Sequence, residues 1–223
     1  MIIAIDGPAG AGKSTVARAL AARLGFAFLD TGALYRSTAL LAGERGLPPQ
    51  EVARDLDISL GERILVEGED VTDAIRTPDV TRQTAAAAQI PEVRQALVVK
   101  QRDMLHRGHW VAEGRDIGTV VAPDADVKVF LTADEDERAR RRSVETGHDL
   151  ESVREELRHR DQQDQLRDHS PLLPADDALV LDTTGLSLDE VLERIEQVIP
   201  SVPATPRLFG TAPAQLRQAA RRR

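Results

Sequence analysis

The feature that most constrains this chain is a glycine-rich loop near its beginning, where residues 7–14 read GPAGAGKS. The pattern G-x-x-x-x-G-K-[ST] is the phosphate-binding loop signature. Its glycines let backbone N–H groups point inward around a phosphate, and the following helix directs its positive N-terminus at the same point. In this chemistry Lys13 reaches the β- and γ-phosphates of a nucleoside triphosphate, and the Ser14 hydroxyl is a ligand of Mg²⁺.

The flanking residues supply the context that the signature requires. Ile2 to Ile5 form a short continuous apolar run, which is typical of a buried parallel strand. From Thr15 to Leu24 the apolar residues recur at helical spacing. This order favours triphosphate binding over an accidental glycine-rich turn, although it does not separate kinases, GTPases and ATPases. The residues expected to bind ATP are Gly7, Pro8, Ala9, Gly10, Ala11, Gly12, Lys13, Ser14 and Thr15.

Composition narrows the class of protein. The 223 residues suffice for one sizeable α/β domain, and the net charge of −8 argues against a general nucleic-acid or membrane-surface binder. The absence of cysteine excludes disulfides, thiolate zinc sites and cysteine nucleophiles. No secretory signal or membrane-spanning apolar run is present. We expect a monomeric cytoplasmic protein without a stable nucleic-acid or membrane partner.

Apolar stretches alternate with helical patterns along most of the chain, which is typical of βαβ units and a parallel sheet. The candidate strands are Ile2–Asp6, Phe26–Leu29, Trp110–Glu113, Val127–Thr132 and Ala178–Leu181. The candidate helices are Lys13–Leu24, Ala33–Glu44, Glu135–Glu145, Leu150–Arg167 and Ser187–Val198. We expect right-handed crossovers, and a ligand crevice at the carboxyl ends of the strands.

Two regions depart from this alternation. Residues 48–107 contain two strand-like runs and two helical patterns, each helix with Pro in its first turn, and they predict an inserted lobe. The runs are Arg63–Glu67 and Asp70–Thr72, and the helices are Pro78–Ala88 and Pro91–His106. Residues 200–223 are rich in proline and end in three arginines, so we expect a disordered tail rather than a basic arm that binds RNA.

Three further groups of polar residues are candidates for a second site. A polar turn at residues 29–36 opens a helix that carries Tyr35 and Arg36, which could bind a base and a phosphate. An ordinary helix start with Thr31 as its N-cap explains the segment equally well. Residues 113–119 follow a strand, where α/β sites form. The third group consists of arginines and aspartates on two helical faces. Such charged faces are usually solvated and form ion pairs within the helix. The members of this group are Arg138, Arg141, Arg142, Arg160, Asp161, Asp164 and Arg167.

Taken in order, the segments of the chain resemble bacterial cytidylate kinase. They read GPAGAGKST, LDTGALYR, EGEDVT, IRT, EGRDIGTVV, PDA and ALVLDTT, together with the patterns P-x-VR-x-AL and RD-x-x-D-x-x-R. The resemblance runs from about Ile2 to Val198. It implies a nucleoside monophosphate kinase that moves the γ-phosphoryl of ATP onto CMP or dCMP with Mg²⁺. It also implies a P-loop NTPase-type five-stranded parallel sheet, in which the core comprises residues 1–47 and 108–199.

The resemblance further implies a monophosphate-binding insert at residues 48–107, a lid at residues 138–167 and roles for individual residues. The expected CMP site comprises Thr31, Tyr35, Arg36, Arg94, Arg115, Asp116, Arg160, Asp164 and Arg167. Of these, Arg36, Arg115 and Arg167 would hold the phosphate. Asp164 and Arg160 would meet the ribose, while Tyr35, Arg94 and Asp116 would frame the cytosine. The expected catalytic residues are Lys13, Arg115, Arg138 and Arg142, with Arg141 beside them on the lid.

Two positions depart from the family pattern. Ala85 stands where Ser is frequent, which removes a hydroxyl that could read the cytosine edge, and Gln165 stands where Ser or Thr is common. A phosphotransferase acting on UMP, AMP or a small alcohol is the alternative enzyme. A nucleotide-dependent binding switch is the alternative from another class. Asp182 and Gly185 fit the GTPase-like D-x-x-G element, but no guanine-reading Asn-Lys-x-Asp sequence is present, so we interpret them as a strand end and turn.

Overall fold

The computed structural model describes residues 1–165 and 172–200, and it places the side chains of all of these except Gln165. The sequence predictions for Arg167 and for residues 201–223 lie outside this part of the chain.

The described residues form strands in two sheets and helices around them. The strands are β1 (Ile2–Asp6), β2 (Ala27–Asp30), β3 (Ile58–Leu60), β4 (Ile64–Val66), β5 (Glu69–Asp70), β6 (Trp110–Glu113), β7 (Val127–Thr132) and β8 (Leu179–Asp182). The helices are α1 (Lys13–Leu24), α2 (Thr31–Arg45), α3 (Pro49–Asp55), α4 (Pro78–Ala87), α5 (Pro91–Leu105), α6 (Glu135–Thr146), α7 (Leu150–Gln165) and α8 (Leu188–Glu196).

The main sheet has five parallel strands in the order β2-β6-β1-β7-β8, which confirms the predicted fold class. Strand β1 lies at the centre of the sheet, and Ile3, Ala4 and Ile5 are buried because helices cover both faces there. Ile3 and Ile5 pack with α1 and α8 on one face, and Ala4 packs with α2 and α5 on the other. This register aligns the carboxyl ends of the strands, where Asp30 lies directly beside Glu113.

The insert contains more regular structure than the sequence predicts. Strands β3, β4 and β5 form an antiparallel sheet of three strands, where two were expected. The missed strand is Ile58–Leu60, which is too short to carry a recognisable alternation. Helix α3 was also missed, although it begins at Pro49. A tight turn joins β4 to β5 with positive φ at both Glu67 and Gly68, as a two-residue hairpin requires.

Several helices and strands begin or end at other residues than predicted, because residues at their ends take part in caps and turns. The second strand begins at Ala27 rather than Phe26, since the Phe26 N–H donates to Ala21 O at 2.9 Å and closes the end of α1. The last strand begins at Leu179 rather than Ala178, whose N–H closes a turn on Ala175 O. Ser187 caps α8 in a capping box with Glu190 and is not itself helical.

Helix α2 begins at Thr31, two residues before the predicted start, because the Asp30 carboxylate accepts the Ala33 N–H at 3.0 Å. The N-cap is therefore Asp30, and the interpretation of Thr31 as the cap is wrong. Helix α6 runs to Thr146 and stops at Gly147, whose positive φ ends the helix. Within the described ranges, no helix combines the length and apolar character of a membrane-spanning segment.

Candidate functional site

The loop between β1 and α1 has the backbone shape of a phosphate cradle. Gly7, Gly10 and Gly12 have φ angles of 147°, 77° and 86°, which side chains rarely allow. A Cβ on Gly7 would lie 2.1 Å from the carbonyl oxygen of Leu131 in the neighbouring strand β7. A Cβ on Gly10 would lie 2.9 Å from the carbonyl oxygen of Arg138. The loop is therefore held tightly between β7 and α6.

Lys13 closes the loop from within. Its side chain is buried, and its Nζ donates to the carbonyl oxygen of Pro8 at 2.7 Å. Burial, followed by the positive charge of Arg115, lowers the pKa of Lys13 to about 7, with Arg160 adding to the effect. A buried ammonium surrounded by arginines is unfavourable in isolation, and an anion such as a phosphate would relieve the repulsion.

Arg115 and Arg160 reach this point from β6 and α7. Arg115 Nη1 donates to Gly7 O at 2.8 Å, and its Nε donates to Asp164 Oδ2 at 2.8 Å. Burial and then the charge of Arg115 lower the pKa of Arg160 to about 10. Because Arg115 and Arg160 both lower the pKa of Lys13, three cations from distant parts of the sequence converge on the loop.

Two carboxylates lie at the adjoining strand ends. Glu113 ends β6 beside Asp30 of β2, and burial followed by the charge of Asp30 raises the pKa of Glu113. The Ser14 side chain hydrogen-bonds to the Glu113 carboxylate. Asp30 also accepts from Arg36 Nη2 at 2.7 Å. Thr31 is buried below them and donates its hydroxyl to Glu113 O at 2.6 Å.

Asp6 joins the phosphate loop to a second loop. It is buried at the end of β1 and accepts the N–H groups of Ile117 and Gly118 at 2.9 and 2.8 Å. These amides begin a single π-helical turn, Ile117–Val121, directly after Asp116. Burial raises the pKa of Asp6 to about 6, although the two amide hydrogen bonds oppose this shift.

Asp116 and Arg94 form a buried ion pair between this loop and α5 of the insert. The pair brings together two residues that the sequence assigned to one site. Tyr35 and Arg36 lie one turn into α2, where Tyr35 is partly buried against the core. Arg36 folds back over Gly32 towards Asp30, and its Nε is buried without a hydrogen-bond partner among the described residues.

Helices α6 and α7 bring the lid arginines to the loop in different ways. Arg138 is buried and donates to Ala9 O at 3.2 Å and to Asp161 at 2.6 Å. Arg141 donates from Nη1 to the Thr183 hydroxyl and from Nη2 to the Thr183 carbonyl, at 2.9 and 2.8 Å. Arg142 instead pairs with Glu145 of its own helix at 3.0 Å. Its charge nevertheless contributes to the lowered pKa of Arg160.

Sequence reasoning missed Asp6 and Thr183 as contributors to this site, and it placed Asp30 and Glu113 in candidate segments without giving either an individual role. Thr183 directly follows β8 and is buried. Its hydroxyl donates to Thr132 O at 3.0 Å and accepts a hydrogen bond from Arg141 Nη1. Each of the four lies at or directly after the carboxyl end of a core strand, which is the signal that could have identified them. The D-x-x-G segment is a strand end and turn, as predicted.

The sequence of the chain matches those of known proteins. The sequence model of a family described as cytidylate kinase matches residues 3–201. A cytidylate kinase from Geobacter sulfurreducens is 46% identical over 215 residues, covering 89% of this chain and 92% of that protein. One from Exiguobacterium sibiricum is 47% identical over 212 residues, covering 88% and 95% respectively.

The chain belongs to the cytidylate kinase family. Its enzyme class is therefore ATP-dependent nucleoside monophosphate kinase, and cytidylate kinases phosphorylate CMP and dCMP with ATP. A bifunctional pantoate ligase/cytidylate kinase from Synechococcus sp. (strain CC9902) is 49% identical over 212 residues. The chain spans 44% of that longer relative, so only part of it is matched.

Solved structures agree at the level of the fold. A sugar kinase from Janibacter sp. HTCC2649 superposes with a TM-score of 0.50 at 16% identity, covering 92% of this chain and 98% of the other. An uncharacterised protein from Eubacterium ventriosum superposes with a TM-score of 0.54, also at 16% identity, covering 91% and 99%. These similarities show that the chain has the same fold as these two proteins.

Proposed function

We propose that the cleft bounded by the phosphate loop, the ends of β2 and β6, and helix α7 is where ATP phosphorylates CMP. The observation that carries this proposal is the convergence of Lys13, Arg115 and Arg160: after burial, the charge of Arg115 lowers the pKa of both Lys13 and Arg160, and Arg160 further lowers that of Lys13. Phosphoryl transfer requires such a concentration of positive charge because its transition state spreads negative charge over several oxygens.

On the donor side, the loop residues Gly7 to Thr15 cradle the triphosphate of ATP. Lys13 leaves the Pro8 carbonyl, which it contacts at 2.7 Å, and stabilises the β- and γ-phosphates. Arg138, already in contact with Ala9 O of the loop, binds the phosphoryl group in transfer. Arg142 joins it from the exposed part of α6, while Arg141 fixes α6 to the end of β8.

The residues beside the loop fit Mg²⁺. This ion prefers one or two carboxylates together with nucleotide phosphates and water. Glu113 and Asp30 are adjacent carboxylates, burial and then the charge of Asp30 raise the pKa of Glu113, and the Ser14 side chain hydrogen-bonds to Glu113. Ser14 would hold the ion directly, and these carboxylates would orient its water ligands. When bound, Mg²⁺ would supply charge neutralisation and alignment of the ATP phosphates.

On the acceptor side, Arg36 and Arg115 bind the phosphate of CMP, with Arg167 as the third arginine from outside the described residues. A new bond forms between a CMP phosphate oxygen and the γ-phosphorus, and the bond from that phosphorus to the β–γ bridging oxygen breaks, leaving ADP. The acceptor oxygen is largely ionised near neutral pH, since the second pKa of a phosphate ester is about 6. The site therefore needs no strong general base.

The base and ribose are recognised at the junction of insert and core. Asp116 accepts a hydrogen bond from the cytosine amine, and its buried pairing with Arg94 fixes the carboxylate. Tyr35 contributes to the same pocket from α2, above the buried Thr31. Asp164 and Arg160 meet the ribose from α7. Ala85 occupies a half-buried position on α4, and the Thr84 hydroxyl is already donated to Val80 O at 2.6 Å.

The proposal also covers organisation. Residues 48–107 act as the monophosphate-binding insert on a core of residues 1–47 and 108–199, and residues 138–167 act as the lid. The enzyme works as a cytoplasmic monomer on free nucleotides, without nucleic-acid or membrane partners, in keeping with its net charge of −8.

A coupled assay of ADP formation tests the proposal. CMP, dCMP, UMP and AMP are each supplied with ATP and Mg²⁺ to the parent protein and to an Arg36→Gln variant. We expect CMP and dCMP to give the highest kcat/KM, and Arg36→Gln to raise the KM for CMP much more than that for ATP. Equal turnover of UMP and CMP would contradict the base assignment. An unchanged KM for CMP in Arg36→Gln would contradict the placement of the acceptor phosphate.

A further inference from the structure

We propose that Asp161 is a positioning residue that holds the guanidinium of Arg138 in the orientation needed to bind the transferring phosphoryl group. This inference rests on the proposed function of Arg138. It assigns a role to a carboxylate of α7 that contacts the lid arginine across the interface between α6 and α7.

The hydrogen bonds of Arg138 define the orientation of its guanidinium. Nε donates to Ala133 O at 3.1 Å, while Nη1 donates to both Ala9 O at 3.2 Å and Asp161 Oδ2 at 2.6 Å. These three contacts occupy three of the five N–H groups of the guanidinium. Nη2 makes no hydrogen bond to another described residue, so both of its N–H groups remain for a ligand. The guanidinium is thus anchored on one side and available on the other.

Asp161 is the strongest of these three anchors. The other acceptors are neutral carbonyl groups, and a charged acceptor gives a shorter and stronger hydrogen bond, in agreement with the distance of 2.6 Å. Because the Asp161 side chain is only 18% exposed, water screens the pair weakly. The other carboxylate oxygen, Oδ1, is buried and has no partner within the described residues. Such an oxygen is costly, so a contribution to stability alone explains Asp161 poorly.

The packing around the pair keeps α7 in place without it. Ala9 of the loop, Ala139 of α6, and Val153 and Leu157 of α7 form a separate buried apolar cluster. Val153, Leu157 and Asp161 are spaced four residues apart, so they lie along one face of α7. The apolar part of this face docks the helix, and its acidic end reaches Arg138. Removing the charge of Asp161 should therefore leave α7 docked.

A second ion pair across the same two helices provides a matched control. Glu135 of α6 pairs with Arg158 of α7, but both side chains are exposed, at 40% and 60%. Glu135→Gln removes a carboxylate between the same helices without touching the phosphate loop. A role in helix docking would give similar effects at Glu135 and Asp161. A role in orienting Arg138 would give an effect only at Asp161.

The experiment measures kcat, KM for CMP and melting temperature for Asp161→Asn and Asp161→Ala, with Glu135→Gln in parallel. We expect kcat to fall at least about tenfold in both Asp161 variants, from loss of a charge-assisted hydrogen bond, with KM for CMP and melting temperature nearly unchanged. Glu135→Gln should match the parent in all three. All assays are run well below the melting temperature of each variant, so that the protein is folded. If only one of the two Asp161 variants folds, that variant decides the outcome. Parent-like kcat in a folded Asp161 variant overturns the proposal.

A double-mutant cycle with Arg138→Gln separates this proposal from the assignment of Arg138 itself. If Asp161 acts through Arg138, then Asp161→Asn should lower kcat no further in the Arg138→Gln background. Full additivity of the two losses would overturn the positioning role. If kcat is low in Arg138→Gln but normal in Asp161→Asn, only this inference is overturned. A normal Arg138→Gln would overturn the proposed function of Arg138 and, with it, the role of Asp161.

Discussion

Arg115 Nη1 donates a hydrogen bond to the carbonyl oxygen of Gly7 at 2.8 Å, across 108 positions of the sequence. The Nε of the same guanidinium donates to Asp164 of α7. One side chain thereby connects the phosphate loop, the end of β6 and the last turns of α7. Its charge also lowers the pKa of Lys13, so the guanidinium lies close to the lysine of the phosphate loop. The proposed donor and acceptor sites therefore share this one guanidinium.

The first prediction concerns the loop backbone. Gly10→Ala should lower turnover by about hundredfold, because its Cβ would lie 2.9 Å from Arg138 O and displace the loop from α6. Gly25→Ala is the control, since Gly25 also has positive φ, at 68°, but a Cβ there meets nothing within 4 Å. It should cost about 1 kcal/mol of stability and leave turnover unchanged. Equal losses of turnover in the two variants would mean that the contact with Arg138 is unimportant.

The second prediction concerns Lys13. Lys13→Ala should lower kcat by at least about hundredfold, because the group that stabilises charge on the phosphates is removed. Its melting temperature at pH 7 should not fall by more than a few degrees, since burial already disfavours the charged ammonium. Lys100→Ala, on α5 of the insert, should leave kcat unchanged. A folded Lys13→Ala protein with near-normal turnover would remove the loop from the mechanism.

The third prediction concerns the choice of base. Cytosine presents an amine where uracil presents a carbonyl oxygen, and a carboxylate only accepts hydrogen bonds. Asp116→Asn should therefore lower kcat/KM for CMP and narrow the CMP-to-UMP ratio by at least about tenfold. Ala85→Ser should widen the ratio more weakly by adding a hydroxyl. The measurement is kcat/KM for both nucleotides at fixed ATP and Mg²⁺. An equal loss for CMP and UMP would assign Asp116 to holding Arg94 instead.

The fourth prediction concerns the pH dependence of stability. The pKa of Asp6 is about 6 in the fold against an ordinary value of 3.8, so the folded protein binds the proton more tightly than the unfolded chain. This group therefore destabilises the fold progressively as pH rises from about 4 to 6. Burial is the main cause; the Asp116 charge adds to the shift, while Lys13 and the amides of Ile117 and Gly118 oppose it.

Urea unfolding of the parent and Asp6→Asn at several pH values measures this effect. The difference in unfolding free energy should move in favour of the variant between pH 4 and 6.5, by at most about 3 kcal/mol, given about 1.4 kcal/mol per pKa unit. The lost hydrogen bonds add an offset that does not vary with pH. A difference that stays constant over this range, or moves in favour of the parent, would contradict a raised pKa.

The sequence by itself determined the phosphate loop, the alternation of strands and helices, and the first residue of most helices. These features follow from local requirements: glycine for a positive φ, apolar periodicity for a buried face, and Gly or Pro at a helix boundary. The loop from Gly7 to Ser14 can be predicted because one short segment contains every residue that the phosphate-binding signature requires. The parallel sheet can be predicted because its central strands are buried on both faces and must therefore be apolar throughout.

Only the tertiary structure decided which charged groups meet. Asp30 lies beside Glu113, and Asp161 reaches Arg138, because strand register and the docking of α7 on α6 bring distant segments together. The sequence shows Asp161 on a charged helix face but does not reveal its partner, since exposed and buried ion pairs use the same residues at the same spacing. The pKa of Asp6 is likewise set by burial, which raises it, and by two amides more than a hundred residues away, which oppose the shift. Burial and partner geometry are properties of the assembled fold, so they convert local chemistry into a site.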